Sequence, residues 1–180
     1  HSDQSLRVVE VLEREGKGLN LSWEVLDGIK HHPQKDPIFP ATLEGQIVRY
    51  SDHIAYIRHD IEHAILAKVI THKDLPKVHT DVLGKNILDT IIPSIIEHSK
   101  DKNKITMEKK VEDAMNGLYE FLYEKVYTSP AAKGEEKKIP HLITQLFKYY
   151  RDYPEQTPFY KNSWTEVELV QHIIDFIAGM

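Results

Sequence analysis

The thirteen residues from Ser51 to His63, "SDHIAYIRHDIEH", hold three Asp/Glu, three His, a Tyr and an Arg. Two kinds of chemistry can be read from them. His59 and His63 in "HDIEH" fit an H-x-x-E-H pattern: on a helix they lie one turn apart, where they can share a zinc ion with Glu62 beside them as base. The pattern is short, and in a chain with 11 His a charged outer face accounts for it equally well. The second reading uses Asp52, Tyr56 and Asp60, spaced i, i+4, i+8. At ~100° per residue they drift only ~80° around a helix and make a row ~12 Å long. Asp52 can hold a hard divalent cation through oxygen. Tyr56 offers an aromatic face and a hydroxyl to a sugar, or simply packs. Asp60 can accept a hydrogen bond from a ribose hydroxyl. Such a row suits a nucleotide lying along a helix, phosphates toward Asp52.

The elements that must carry these residues read as helical almost throughout. "DQSLRVVEVLERE" places Leu6, Val9 and Leu12 on one stripe, with Ser2 or Asp3 as N-cap and "GKG" as its stop. Ser22 caps "WEVLDGIKHH", in which Trp23, Leu26 and Ile29 form a packing face, and "HHPQKDPIFP" with its three prolines is a loop. A long helix runs from Thr42 to about Val69, with Leu43, Ile47, Ile54, Ile61 and Ile65 as its apolar positions. Helices follow over Asn86–His98, bent by Pro93, over Met107–Val126, over Glu135–Tyr150 and over Glu166–Ala178, capped by Ser163 or Thr165. No segment alternates as a strand between hairpin turns, and no repeat is present. The expected fold is all-α, one helical domain over residues 1–180 without a regular heptad.

Composition narrows the partners. With 41% hydrophobic and 28% charged residues the chain can bury a core under a charged surface, and its net charge of -5 provides no basic field for nucleic acid. The absence of Cys excludes disulfides and thiolate metal sites and fits a cytoplasmic protein. No apolar run approaches the ~20 residues of a membrane span. The chain opens at His1 and stops within the apolar "HIIDFIAGM"; both ends read as cut through structure.

Five ordered segments carry a resemblance: "HSDQSLRVVEVLE", "GLNLSWEVLDGIKHH", "PATLEGQIVRYSDHIAYIRHDIEHAI", "FLYEKVYTSP" and "HIIDFIAGM". Together they resemble the HD-domain deoxynucleoside triphosphate triphosphohydrolases, the dGTPase-like proteins, over nearly the whole chain. The resemblance implies an HD-domain-like helical bundle that is incomplete, a C-terminal portion lacking the N-terminal helices. It implies a divalent metal (Mg, Mn, Fe or Zn) held by a His, a His-Asp pair and a last Asp, with Asp52 matching that last Asp. The first three ligands lie upstream of "HSDQSLR" in the family, and His59-Asp60 is not the His-Asp pair. The family pattern also continues with Thr-Asp past the final "AGM".

The implied reaction is hydrolysis of a dNTP, such as dGTP, to a deoxynucleoside and tripolyphosphate. By the same resemblance His1 is the catalytic candidate beside the α-phosphate, His53 faces phosphate, and Tyr56 and Asp60 contact the sugar and its 3′-hydroxyl. Arg49 and Arg58 can reach phosphates, although exposed ion pairs are the expected role for both. Tyr119, Phe121, Leu122, Tyr123 and Val126 read as core or as an interface of a homo-oligomer; Lys133 or Lys137 could touch a regulatory nucleotide. The alternatives are another HD-type nucleotide phosphohydrolase and a non-catalytic helical module that binds nucleotide or supports an oligomer.

Overall fold

The computed structural model describes residues 2–129, 133–134 and 136–180, and every described element is helical. Helix α1, Ser2–Arg7, runs into a π-helical turn at Val8–Leu12. Arg14 (φ 53°) and Glu15 (φ 60°) then turn left-handed, so the helix ends before the expected "GKG" stop. Gly18 sits where a Cβ would run into the Glu10 carbonyl, and Leu19 N–H closes back on Val9 C=O at 2.7 Å. Helix α2 is Trp23–His31. Leu26 and Ile29 are half-buried as a packing face requires, but Trp23 is 63% exposed.

Helix α3, Leu43–Leu66, is the longest element. The Thr42 hydroxyl starts it by accepting the Gly45 N–H at 3.1 Å. Gly45 lies against Gly28 of α2 and against Pro40, where a Cβ would collide, which lets the two helices close. Its buried face is not the expected apolar stripe. Gly45, Gln46, Arg49, Tyr50, His53, Ile54, Ile57 and Ala64 are buried, whereas Ile47 is 49% exposed. The neighbours of α3 are a polar loop and two other helices, and they select a face rich in hydrogen-bonding side chains.

Helix α4 is Lys77–Leu83 and α5 is Leu88–Ser99, which passes through Pro93. Helix α6, Lys109–Leu122, buries Val111, Ala114, Met115, Leu118 and Leu122 at helical spacing and continues as a π-helical turn, Tyr123–Tyr127. It packs on α3 and α4. These elements form one compact unit, His1–Val126; a second is Tyr127–Met180, so the chain read above as one domain is described in two parts.

In the second unit α7, Ile139–Asp152, packs on α8, Glu166–Ala178. Pro130, Ala131 and Ala132, and Glu135 at the expected helix start, lie outside the described residues. Thr165 is the cap of α8. Its hydroxyl accepts the Glu168 N–H and the Glu168 carboxylate accepts the Thr165 N–H at 2.8 Å, a reciprocal capping box. Tyr150 meets Phe176 edge-on across the pair at 5.0 Å between centroids.

Candidate functional site

Helix α3 positions the candidate row as its spacing requires. Asp52 is exposed, Tyr56 is 48% exposed and Asp60 is half-buried. His53 is not brought together with them. It is 3% exposed, in the seam between α3 and α6, with its ring 5.3 Å from that of Tyr119. Burial pulls its imidazole below the usual range; a hydrogen bond to Asn116 and the charge of Asp52 oppose that, and Arg49 adds to it. Its Nε2 is buried without a hydrogen-bond partner. His1 lies outside the described residues.

The H-x-x-E-H residues are occupied otherwise. The His59 and His63 rings stack at 6.2 Å between centroids, and the Glu62 carboxylate accepts a hydrogen bond from Arg58 Nε at 3.1 Å, an exposed i,i+4 ion pair. Among the described residues no three His, Asp or Glu side chains gather where they could hold a metal ion. Asp52 is thus one hard oxygen donor, and the described donors by themselves do not fit a divalent cation.

Arg49 is neither an ion pair at the surface nor a group open to phosphate. It is 4% exposed. Nη1 donates to the carbonyls of His31 (3.1 Å) and Ile38 (2.8 Å), and Nη2 to those of Gln34 and Asp36 (2.9 Å each). The Phe39 ring covers the guanidinium at 4.3 Å. Next to it Gln46 Nε2 donates to Pro40 C=O at 3.0 Å, and its Oε1 accepts the Ile105 N–H at 2.9 Å. A signal for this existed in "HHPQKDPIFP": three prolines lack N–H groups, so carbonyls in that loop need donors from elsewhere, and buried backbone oxygens find them. His31 and Asp36 close the same loop, His31 Nδ1 lying 2.9 Å from Asp36 Oδ2. The Asp36 carboxyl is held below its usual value by the Ile38 N–H and by His31.

Two hollows flank α3. A groove of about 590 Å³ between α1, α2 and α3 is lined mainly by apolar atoms, with Val25, Ile29, Gly45 and Val48 in its walls. A smaller one of about 220 Å³, between α3 and α5, is lined by Ser51, Arg58, His59 and Ile92 among others.

Residues 105–180 match the phosphohydrolase-associated domain. The whole chain aligns with curated deoxyguanosinetriphosphate triphosphohydrolase-like proteins. It is 44% identical to one from Caldanaerobacter subterraneus subsp. tengcongensis, covering 54% of that protein. It is 39% identical to one from Clostridium tetani, covering 55%, and 35% identical to one from Desulfatibacillum aliphaticivorans, covering 57%. The chain therefore spans about half the length of these relatives, and it corresponds to their C-terminal portion.

Proposed function

Because this chain is homologous along its whole length to the deoxyguanosinetriphosphate triphosphohydrolase-like proteins, a phosphohydrolase family, we propose that it supplies part of an active site that hydrolyses a deoxynucleoside triphosphate, dGTP or a close analogue, to deoxynucleoside and tripolyphosphate. The observation that supports the reading best is the Asp52, Tyr56, Asp60 row along α3, with Asp52 and Tyr56 exposed. In the reaction, water forms a bond to the α-phosphorus and the bond to the nucleoside 5′-oxygen breaks. That oxygen leaves as a hydroxyl, so a general acid must deliver a proton to it. In this reading Tyr56 lies along the sugar, Asp60 accepts a hydrogen bond from its 3′-hydroxyl, and Asp52 contributes one oxygen to a divalent cation, Mg, Mn, Fe or Zn. The other metal donors come from residues outside those described. Bound there, such an ion would neutralise phosphate charge and make water more acidic.

The test uses the full-length protein with Mn²⁺ and dGTP, followed by phosphorus NMR. Tripolyphosphate as the phosphorus product is expected, lost in Asp52→Ala and kept in Glu62→Gln. Orthophosphate or pyrophosphate as first product would point to another nucleotide phosphohydrolase. Absence of turnover and of bound metal would leave a nucleotide-binding module. If Glu62→Gln were inactive and Asp52→Ala active, the H-x-x-E-H pattern would be the functional one.

A further inference from the structure

We infer that Gln46 and Arg49 are positioning residues: by clamping the loop 31–40 and the backbone at Ile105 to one flank of α3, they set the rotation of that helix and so the directions in which Asp52, Tyr56 and Asp60 point. The inference rests on the role proposed for that row. Apolar contact is non-directional and permits a helix to roll, whereas hydrogen bonds weaken steeply off axis. Gln46 and Arg49 are the parts of α3 that cannot roll. All four terminal N–H groups of the Arg49 guanidinium are used, each on a different carbonyl from His31 to Ile38. Both ends of the Gln46 amide are used as well, one on Pro40 and one on Ile105, 59 residues away in sequence. Both side chains are removed from water, at 7% and 4% exposure, so breaking these bonds has no solvent replacement.

The clamp and the row are neighbours on the helix. Asp52 follows Arg49 by three residues and Tyr56 by seven, which places them about 60° and 20° from it around the axis. With side-chain atoms ~5–6 Å from the axis, a roll of about 10° moves them by about 1 Å. A displacement of that size at a reacting group lowers rates by about 100-fold. A clamp that only stabilised the fold would not act on this scale once the protein is folded.

The experiment compares the full-length protein with Arg49→Lys, Gln46→Met and Phe39→Leu. Lysine keeps the charge and loses the planar fork; Phe39→Leu removes only the ring over the guanidinium and tests the clamp more gently. Two readouts are taken where circular dichroism shows each variant folded. The first is fluorine NMR of a fluorotyrosine placed at Tyr56. The second is kcat and KM for dGTP. The resonance is expected to move in all three variants, least in Phe39→Leu, with kcat/KM down about 10- to 100-fold in Arg49→Lys. An unmoved resonance, or kcat/KM within twofold of the parent in the folded variants, overturns the inference. If Arg49→Lys does not fold, Gln46→Met and Phe39→Leu decide. If the parent hydrolyses no dNTP, the proposed reaction fails separately, and the fluorine resonance still decides whether the clamp orients the row.

Discussion

Tyr56 and Asp60 sit one turn apart on a helix flank, so a single flat molecule can touch both, the ring giving area and the carboxylate giving direction. In the proposed reading a lost hydrogen bond to a buried hydroxyl costs ~1–3 kcal/mol, or roughly 5- to 150-fold in affinity. Asp60→Ala and Tyr56→Ala in the full-length protein are expected to raise KM for a dNTP by that order while kcat changes less. Competition with the 3′-deoxy analogue checks Asp60: the parent should prefer the 3′-hydroxyl substrate and Asp60→Ala should not. The helical alignment of Asp52, Tyr56 and Asp60 was legible because i, i+4, i+8 spacing survives whatever the helix packs against. Arg49 was not, because its own charged-looking stretch suggests a surface ion pair; the sign lay in the proline-rich loop 31–40, whose carbonyls lack donors of their own and converge on it. His53 follows Asp52 directly, and ~100° of helical turn separates an exposed side chain from one in the α3–α6 seam.

Helices α4 and α6 meet where Gly117 has no side chain, and a Cβ there would run into the imidazole of His79. Two effects compete in Gly117→Ala. Alanine gains about 1 kcal/mol of helix propensity, and overpacking costs about 1–3 kcal/mol. The His79 ring is half-buried on the packed face of α4, so overpacking should win and the variant should be less stable. In a His79→Ala background the conflict is gone and the same substitution should stabilise; denaturant unfolding of the four proteins of that cycle checks the change of sign. The cap of α8 gives a pH-dependent test. The Thr165 N–H, and then its hydroxyl, hold the Glu168 carboxyl below its ordinary value. A depressed folded value means stability that is present above the unfolded pKa of about 4.3 and is lost as pH falls through the folded one. Glu168→Gln keeps an acceptor without the charge, so its deficit in thermal midpoint should be visible at pH 7 and shrink as pH falls below the unfolded value of about 4.3 and through the folded one. The capping box was half-legible, since both Ser163 and Thr165 are good caps and each has Glu three residues on, Glu166 and Glu168; the structure selects Thr165. Most helix positions were read well, but α4, Lys77–Leu83, lies where only a joint was read, and the buried face of α3 was missed, because periodicity reports where apolar residues recur and not which neighbour a helix meets.

At the scale of the whole chain the all-α expectation holds among the described residues, and no described helix is long and apolar enough to cross a membrane. What periodicity could not supply was the division at Val126, because a boundary depends on which contacts cross it. The groove beside α3 in the first unit has Val25 (47%) and Val48 (54%) exposed in its walls, with Ile29 beside them. Grouped apolar exposure of this kind marks an interaction surface or a tendency to associate. The isolated 180-residue chain is therefore expected to bind a hydrophobic dye or to elute above its 20.9 kDa monomer mass; a dye-silent monomer in light scattering would count against it. Catalysis by the isolated chain is a separate matter. The row has one carboxylate suited to a cation, and among the described residues no further donors gather around one. A single exposed Asp binds Mg²⁺ or Mn²⁺ weakly, since each ion draws on several oxygens for its affinity. Given Mn²⁺ and dGTP, the 180-residue chain should release no tripolyphosphate above the uncatalysed background, and its Mn²⁺ titration should show no saturable site in the micromolar range. The full-length protein should show both, and Asp52→Ala in that protein should lose both together. Turnover by the isolated chain at a rate comparable with the full-length protein's would mean that residues within these 180 complete the site, and would sink the division of labour proposed here.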